Sequence, residues 1–170
     1  MPLLIDFSTI AIRKARQQDK SSLCAIHRRA VSEISGNYYT PKEIRQWLNS
    51  LKPESYEKNI EDHEFIIAEY RGGVIGFGHM DIANSLVAGI YVSPDYIRRG
   101  IGTMLLQRLE HKAGLSGLRA LQLCSSLNAL PFYEQAGYKA YLHMRRQLPD
   151  GTEIPCIYMI KKLLAADALN

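Results

Sequence analysis

Two arginines and two glycines stand together in Arg98-Arg99-Gly100-Ile101-Gly102. They follow an apolar run, Leu86-Val87-Ala88-Gly89-Ile90-Tyr91-Val92, which reads as a strand covered on both faces. Pro94 and Asp95 break that run. Beyond Gly102, the residues Met104, Leu105, Leu109 and Ala113 recur at helical spacing. The stretch is therefore a strand, a turn and the start of a helix, with two guanidinium groups in the turn. The first amides of a helix lack intrahelical partners and its N-terminus carries partial positive charge, so it can hold an anion. Glycines let phosphate oxygens approach the backbone, and Arg98 and Arg99 can add charge-assisted contacts. Diphosphate binding is the chemistry that this spacing suits. On spacing alone, a basic turn capping a solvated helix fits as well. A dinucleotide fingerprint would need a third glycine near Leu105, and a Walker A loop would need a Gly-Lys pair; both are absent.

The elements that must position this corner can be read in order. Ile10 to Arg16 alternates apolar and basic residues and predicts a first strand. Asp19 or Ser21 can cap a helix through about Ile34, with Leu23, Ile26 and Ala30 along one stripe. Thr40-Pro41-Lys42-Glu43 is a capping box with proline at the first helical position, and it opens a second helix carrying Ile44, Trp47 and Leu48. Phe65 to Tyr70 and Val74 to Ile82 are strands joined by the turn Arg71-Gly72-Gly73, and Gly76 and Gly78 leave one face of the second strand thin. After the arginine–glycine corner and its helix come a strand at Leu118 to Cys124 and a short helix opened by Asn128. Two strands, Tyr138 to Gln147 and Cys156 to Lys162, close the chain as a hairpin. About seven strands and four helices in this order predict an α/β (α+β) domain around one central mixed sheet.

Length and composition agree. The chain of 170 residues favours one domain, 1–170, with its core over about 10–163. No apolar run is long enough to cross a membrane, and Met1 to Asp6 lacks the basic and apolar regions of a signal peptide. Cys24, Cys124 and Cys156 are scattered and odd in number, so neither a disulfide framework nor a metal site is expected, and a cytoplasmic location fits. Cys124 reads as a core residue. The five histidines show no metal-ligand spacing, and His27 and His111 read as helix-surface residues. The net charge of +4 is mild and spread along the chain, which an anionic co-substrate explains without nucleic acid.

Two motifs in order carry a resemblance to the GNAT superfamily of acyl-CoA-dependent N-acyltransferases. One is Ile97-Arg98-Arg99-Gly100-Ile101-Gly102 after its apolar strand. The other is Asn128-Ala129-Leu130-Pro131-Phe132-Tyr133-Glu134-Gln135-Ala136-Gly137-Tyr138. The resemblance covers about Ile10 to Leu163. It departs from the family pattern at Ile97, where Gln or Arg is usual, so a side-chain contact is lost there.

The resemblance implies a mostly antiparallel sheet splayed at its middle, acetyl-CoA as co-substrate, no metal, and acetyl transfer to a primary amine by direct attack through a tetrahedral intermediate. The acceptor would be a small molecule or a peptide, and pairing into a homodimer is frequent among such proteins. By resemblance, the backbone of Ile90, Tyr91 and Val92 lines a slot for pantetheine, which adds to the sheet like a strand. Arg98, Arg99, Gly100, Ile101, Gly102 and Thr103 hold the pyrophosphate, and Asn128 caps its helix and touches the co-substrate. Tyr133 falls on the tyrosine that protonates the departing CoA thiolate. Many members place a glutamate on the central strand as base, and here that strand has none. His79 and Asp81 share a face of the preceding strand with Phe77 and are candidate bases, as is Glu33. Tyr38, Tyr39, Trp47 and Tyr141, together with Glu33, Glu43 and Glu54, would suit a cationic amine. A second reading is an acyl-CoA-binding sensor with little turnover. A third is a small nucleic-acid-binding domain, which predicts salt-sensitive binding and no acyl-CoA affinity.

Overall fold

The computed structural model describes residues 6–164, so the reading of Met1 to Asp6 falls almost wholly outside the described residues. Seven strands form one sheet in the order β1-β2-β3-β4-β5-β7-β6: β1 (Ala11–Lys14), β2 (Glu64–Tyr70), β3 (Gly73–Asp81), β4 (Leu86–Val92), β5 (Ala120–Ser125), β6 (Lys139–Gln147) and β7 (Glu153–Lys162). Every neighbouring pair is antiparallel except β4 and β5. Among the described residues, five α-helices accompany the sheet: α1 (Lys20–Arg29), α2 (Pro41–Ser50), α3 (Glu57–Asp62), α4 (Ile101–Leu115) and α5 (Leu130–Gln135).

The first helix does reach Ile34, but through a π-helical segment, Ala30–Ile34, and a 3-10 turn. Asp19 does not cap it. Its carboxylate is drawn back to the Arg16 amide and to the Arg13 guanidinium, at 2.7 and 2.9 Å. The capping box at Thr40 and Glu43 forms as predicted, with Pro41 at the first helical position. Helix α5 starts two residues later than Asn128, with Ala129 as its cap.

Two layers sandwich the sheet. Helix α4 buries Leu105, Leu106 and Leu109 against the face where Gly76 and Gly78 leave room. A Cβ on Gly76 would stand 3.0 Å from the Tyr91 carbonyl and 3.4 Å from Leu105. On the opposite face Leu23 and Ile26 of α1 pack on Phe65, Ile67 and Phe77. A third cluster, Trp47 with Val31, Tyr39 and Ile154, joins α2 to the closing hairpin. Cys124 and Cys156 lie 6.0 Å apart between Cα atoms and are joined as a disulfide, contrary to the expectation of unpaired cysteines. The antiparallel pairing of β5 with β7 brings them together across 32 residues of sequence, a proximity that spacing alone does not reveal. Cys124 is also exposed rather than in the core.

Candidate active site

Strands β4 and β5 are paired at only two positions, Leu86 with Gln122 and Val87 with Leu123. Beyond Val87 they part. The strand read as covered on both faces is in fact half bare: Val87 is buried, whereas Ala88 is exposed and Gly89 to Val92 are only partly covered. The opening is a narrow cleft of about 50 Å³. Gly89, Ile90 and Tyr91 form one wall, and Leu123 and Cys124 form the other.

Tyr133 closes one side of this cleft. It is carried by the short helix α5, and its ring is 5 % exposed, packed edge-on to Phe132 and Tyr138. Burial pushes its phenol pKa well above the ordinary value, the neighbouring Tyr91 adds to this, and a hydrogen bond from the Ile90 backbone amide opposes it. The hydroxyl therefore keeps its proton across the physiological range and can donate it. The Ile90 amide points away from β3 and into the cleft, as that bond requires. Asn128 does not cap α5; its Oδ1 accepts from Ser35 Oγ at 3.0 Å, which ties the helix to the chain segment after α1.

The arginine–glycine corner lies between the end of β4 and the start of α4. Arg98 and Gly100 have φ of 58° and 78°, the left-handed conformation that a glycine adopts readily and an arginine does not. The first helical bond runs from Met104 N–H to the Gly100 carbonyl at 2.9 Å. The amides of Ile101, Gly102 and Thr103 thus precede the hydrogen-bonded ladder. Ile101 anchors the corner with its side chain 1 % exposed. Arg29 of α1 clamps the preceding turn through two bonds to Asp95, at 2.7 and 3.2 Å. Gly102 lets the Phe132 ring seat against α4; a Cβ there would be 3.3 Å from it. The corner and Tyr133 are therefore coupled through one aromatic contact. Ile97 is 38 % exposed and offers no polar group, while Arg98 projects to solvent and Arg99 lies 6.0 Å over the Tyr96 ring.

The candidate bases are elsewhere. His79 pairs across the ladder with Gly89 but is 7 % exposed, stacked on Phe65 at 4.5 Å and bonded to His63 at 3.0 Å. It does not line the cleft. Burial, with the charge of His63, lowers its pKa to about 3, so it is neutral. Asp81 caps the Asn84 turn through bonds at 3.2 and 2.7 Å, which hold its carboxyl below the usual range. Glu33 is paired with Arg29 at 2.8 Å. Among the described residues, no carboxylate lines the cleft. The aromatic residues are divided as well: Trp47 borders the cleft, Tyr39 is buried behind it, and Tyr38 and Tyr141 are exposed.

Sequence reasoning missed two residues here. His27, read as a surface residue, is buried against Tyr91 with ring centroids 3.8 Å apart, and its Nδ1 meets the Tyr56 hydroxyl at 2.8 Å. Arg146 of β6 enters the cleft beside Trp47, its guanidinium 4.7 Å over the indole ring. The alternation of β6 could have placed Arg146 on the face shared with Met144 and Leu148, but not against an α2 residue so distant in sequence.

Comparison with known proteins points the same way. The model of the acetyltransferase (GNAT) domain matches residues 36–162. The uncharacterized N-acetyltransferase YafP of Escherichia coli is 25% identical over 138 residues, covering 81% of this chain and 87% of that protein. The GCN5-related N-acetyltransferase from Rhodopseudomonas palustris superposes with a TM-score of 0.85 at 25% identity, over 94% of this chain and 99% of that one. The PaiA N-acetyltransferase from Thermoplasma acidophilum, solved in complex with coenzyme A, superposes with a TM-score of 0.74 at 22% identity, over 90% and 98% of the two chains.

Proposed function

The chain belongs to the GNAT acetyltransferase family, and on that premise we propose that it moves an acetyl group from acetyl-CoA to a primary amine in the cleft between β4 and β5. The observation that carries this reading is the divergence of β4 from β5 after Val87, with a backbone donor and a protonated phenol on the walls of the opening. The residues present fit the co-substrate. The amides of Ile101 to Thr103 and the side chains of Arg98 and Arg99 receive the pyrophosphate, and they make good the missing contact at Ile97. The exposed edge of β4 gives pantetheine a strand to pair with.

The chemistry then divides between two groups. The Ile90 amide donates to the thioester carbonyl and stabilises the oxyanion as the amine attacks; one such donor lowers the barrier by about 3 kcal/mol. Tyr133, released from that amide, gives its proton to the sulfur as the C–S bond breaks. The amine loses its own proton to water; among the described residues, neither a carboxylate nor a histidine lines the cleft.

Release of free thiol from acetyl-CoA in the presence of a panel of primary amines tests the proposal. Amine-dependent thiol release at a rate well above hydrolysis is expected. Tight acetyl-CoA binding without amine-dependent release would instead favour a sensor.

A further inference from the structure

Among the described residues, one full positive charge in the cleft, that of Arg146, has no counter-charge. Arg146 is half-buried, stacked 4.7 Å over Trp47, which is itself 2 % exposed. Its field reaches the buried rings around it. It opposes the burial-driven rise in the pKa of Tyr91 and of Tyr39, and it adds to the burial that keeps His27 neutral, near 3. Other arginines that touch the fold are engaged. Arg13 holds Asp19 and Glu69, Arg29 holds Glu33 and Asp95, and the adjacent Arg145 holds Glu43 and Glu153. Among the described residues, Arg146 makes no ion pair and no hydrogen bond to a protein group. Of the glutamates expected to attract a cation, Glu33 and Glu43 are paired with Arg29 and Arg145, and Glu54 is exposed and does not line the cleft.

A guanidinium taken partly out of water with its donors unmatched is costly unless a ligand satisfies them. Stacking on the indole uses the face of the group and leaves its edge free. That edge presents parallel N–H donors, the arrangement that fits the two oxygens of a carboxylate. We infer that Arg146 binds a carboxylate on the acceptor, so the acceptor is an amine that carries a carboxylate, with α-amino acids as its compact members, and not a polyamine or other purely cationic amine. This rests on the acetyltransferase reading, which gives the Trp47 side of the cleft to the acceptor.

The test compares the twenty standard L-amino acids with their C-terminal amides as acceptors, by thiol release from acetyl-CoA. For the best acceptor, kcat/KM is expected to be at least ten-fold higher for the acid than for its amide. That ratio falls toward one in Arg146→Gln and is partly restored in Arg146→Lys. A second readout does not need turnover. Trp47 is the one tryptophan of the chain. Adding N-acetyl amino acids to the CoA-loaded protein should change its fluorescence, and adding the matching N-acetyl amides should not. Equal use of acids and amides, or equal fluorescence responses, would overturn the inference while leaving the acetyltransferase reading intact. Absence of thiol release with every amine, alongside an acid-specific fluorescence response, would instead strike at the acetyltransferase reading and leave the carboxylate site standing.

Discussion

The hydrogen bond between the Ile90 amide and the Tyr133 hydroxyl joins two groups that the proposed reaction uses separately. Tyr133→Phe keeps the ring that packs on Phe132 and Tyr138 and removes only the proton donor. Its kcat should fall ten-fold or more, as loss of a general acid does, while the dissociation constant for acetyl-CoA changes by less than about three-fold; steady-state kinetics and calorimetry read the two. Because burial raises the pKa of this phenol, the wild-type rate should show no basic limb from it below pH 10. Asp81→Asn should leave the acidic limb of the pH–rate profile where it is, since that carboxylate serves the Asn84 turn. A displaced limb would put Asp81 back among the bases. At this scale the sequence was legible where a motif spans neighbouring residues, as around Tyr133. It was not legible where long-range packing decides the environment. His27 has the spacing of a helix surface, yet the aromatic rings of Tyr56 and Tyr91 enclose it. Arg146 and Trp47 meet only because the closing hairpin folds over α2.

At the scale of elements, the apolar run of β4 is instructive. Its composition was read as a strand covered by protein on both faces, and the partner strand leaves after two pairs. In the proposed function, pantetheine would pair with the backbone along this open edge. The corner that follows depends on backbone conformation. Gly100→Ala places a side chain at φ 78° and should destabilise the protein by about 1 kcal/mol, with weaker acetyl-CoA binding; chemical denaturation and calorimetry measure both. Binding retained at full strength would mean that the loop does not hold the pyrophosphate in this conformation. Gly76→Val should cost about 1–3 kcal/mol, because α4 and the Tyr91 carbonyl fill the space that its side chain needs. The capping box at Thr40 and the thin face at Gly76 and Gly78 were readable because each is local. The π-helical end of the first helix was not, since apolar spacing does not separate it from an α-helix.

The whole molecule is a seven-stranded sheet with two buried layers, and two buried histidines give it a predicted response to acid. His27 and His79 have pKa values lowered to about 3 by burial, against 6.5 in an unfolded chain. The unfolded state therefore binds more protons between those values. Stability is full above pH 6.5 and declines as pH falls, by about 1.4 kcal/mol per pH unit for each histidine. Thermal melts between pH 7 and pH 5 should show this slope, reduced by about half in His79→Phe, where the ring can still stack on Phe65; an unchanged slope would mean that His79 is already charged in the fold. The succession of strands and helices along the chain and their gathering into one mixed sheet followed from the sequence, whereas the Cys124–Cys156 link did not, because it belongs to the pairing of β5 with β7. The central claim is that acyl-CoA enters between β4 and β5. Titrating isotope-labelled protein with coenzyme A and following the backbone amide resonances tests it most directly. The account predicts large shifts at Ile90, Val92 and Ile101 to Thr103, with β1 and β2 unmoved; shifts confined to other surfaces, with the Ile90 amide unchanged at saturation, would contradict it.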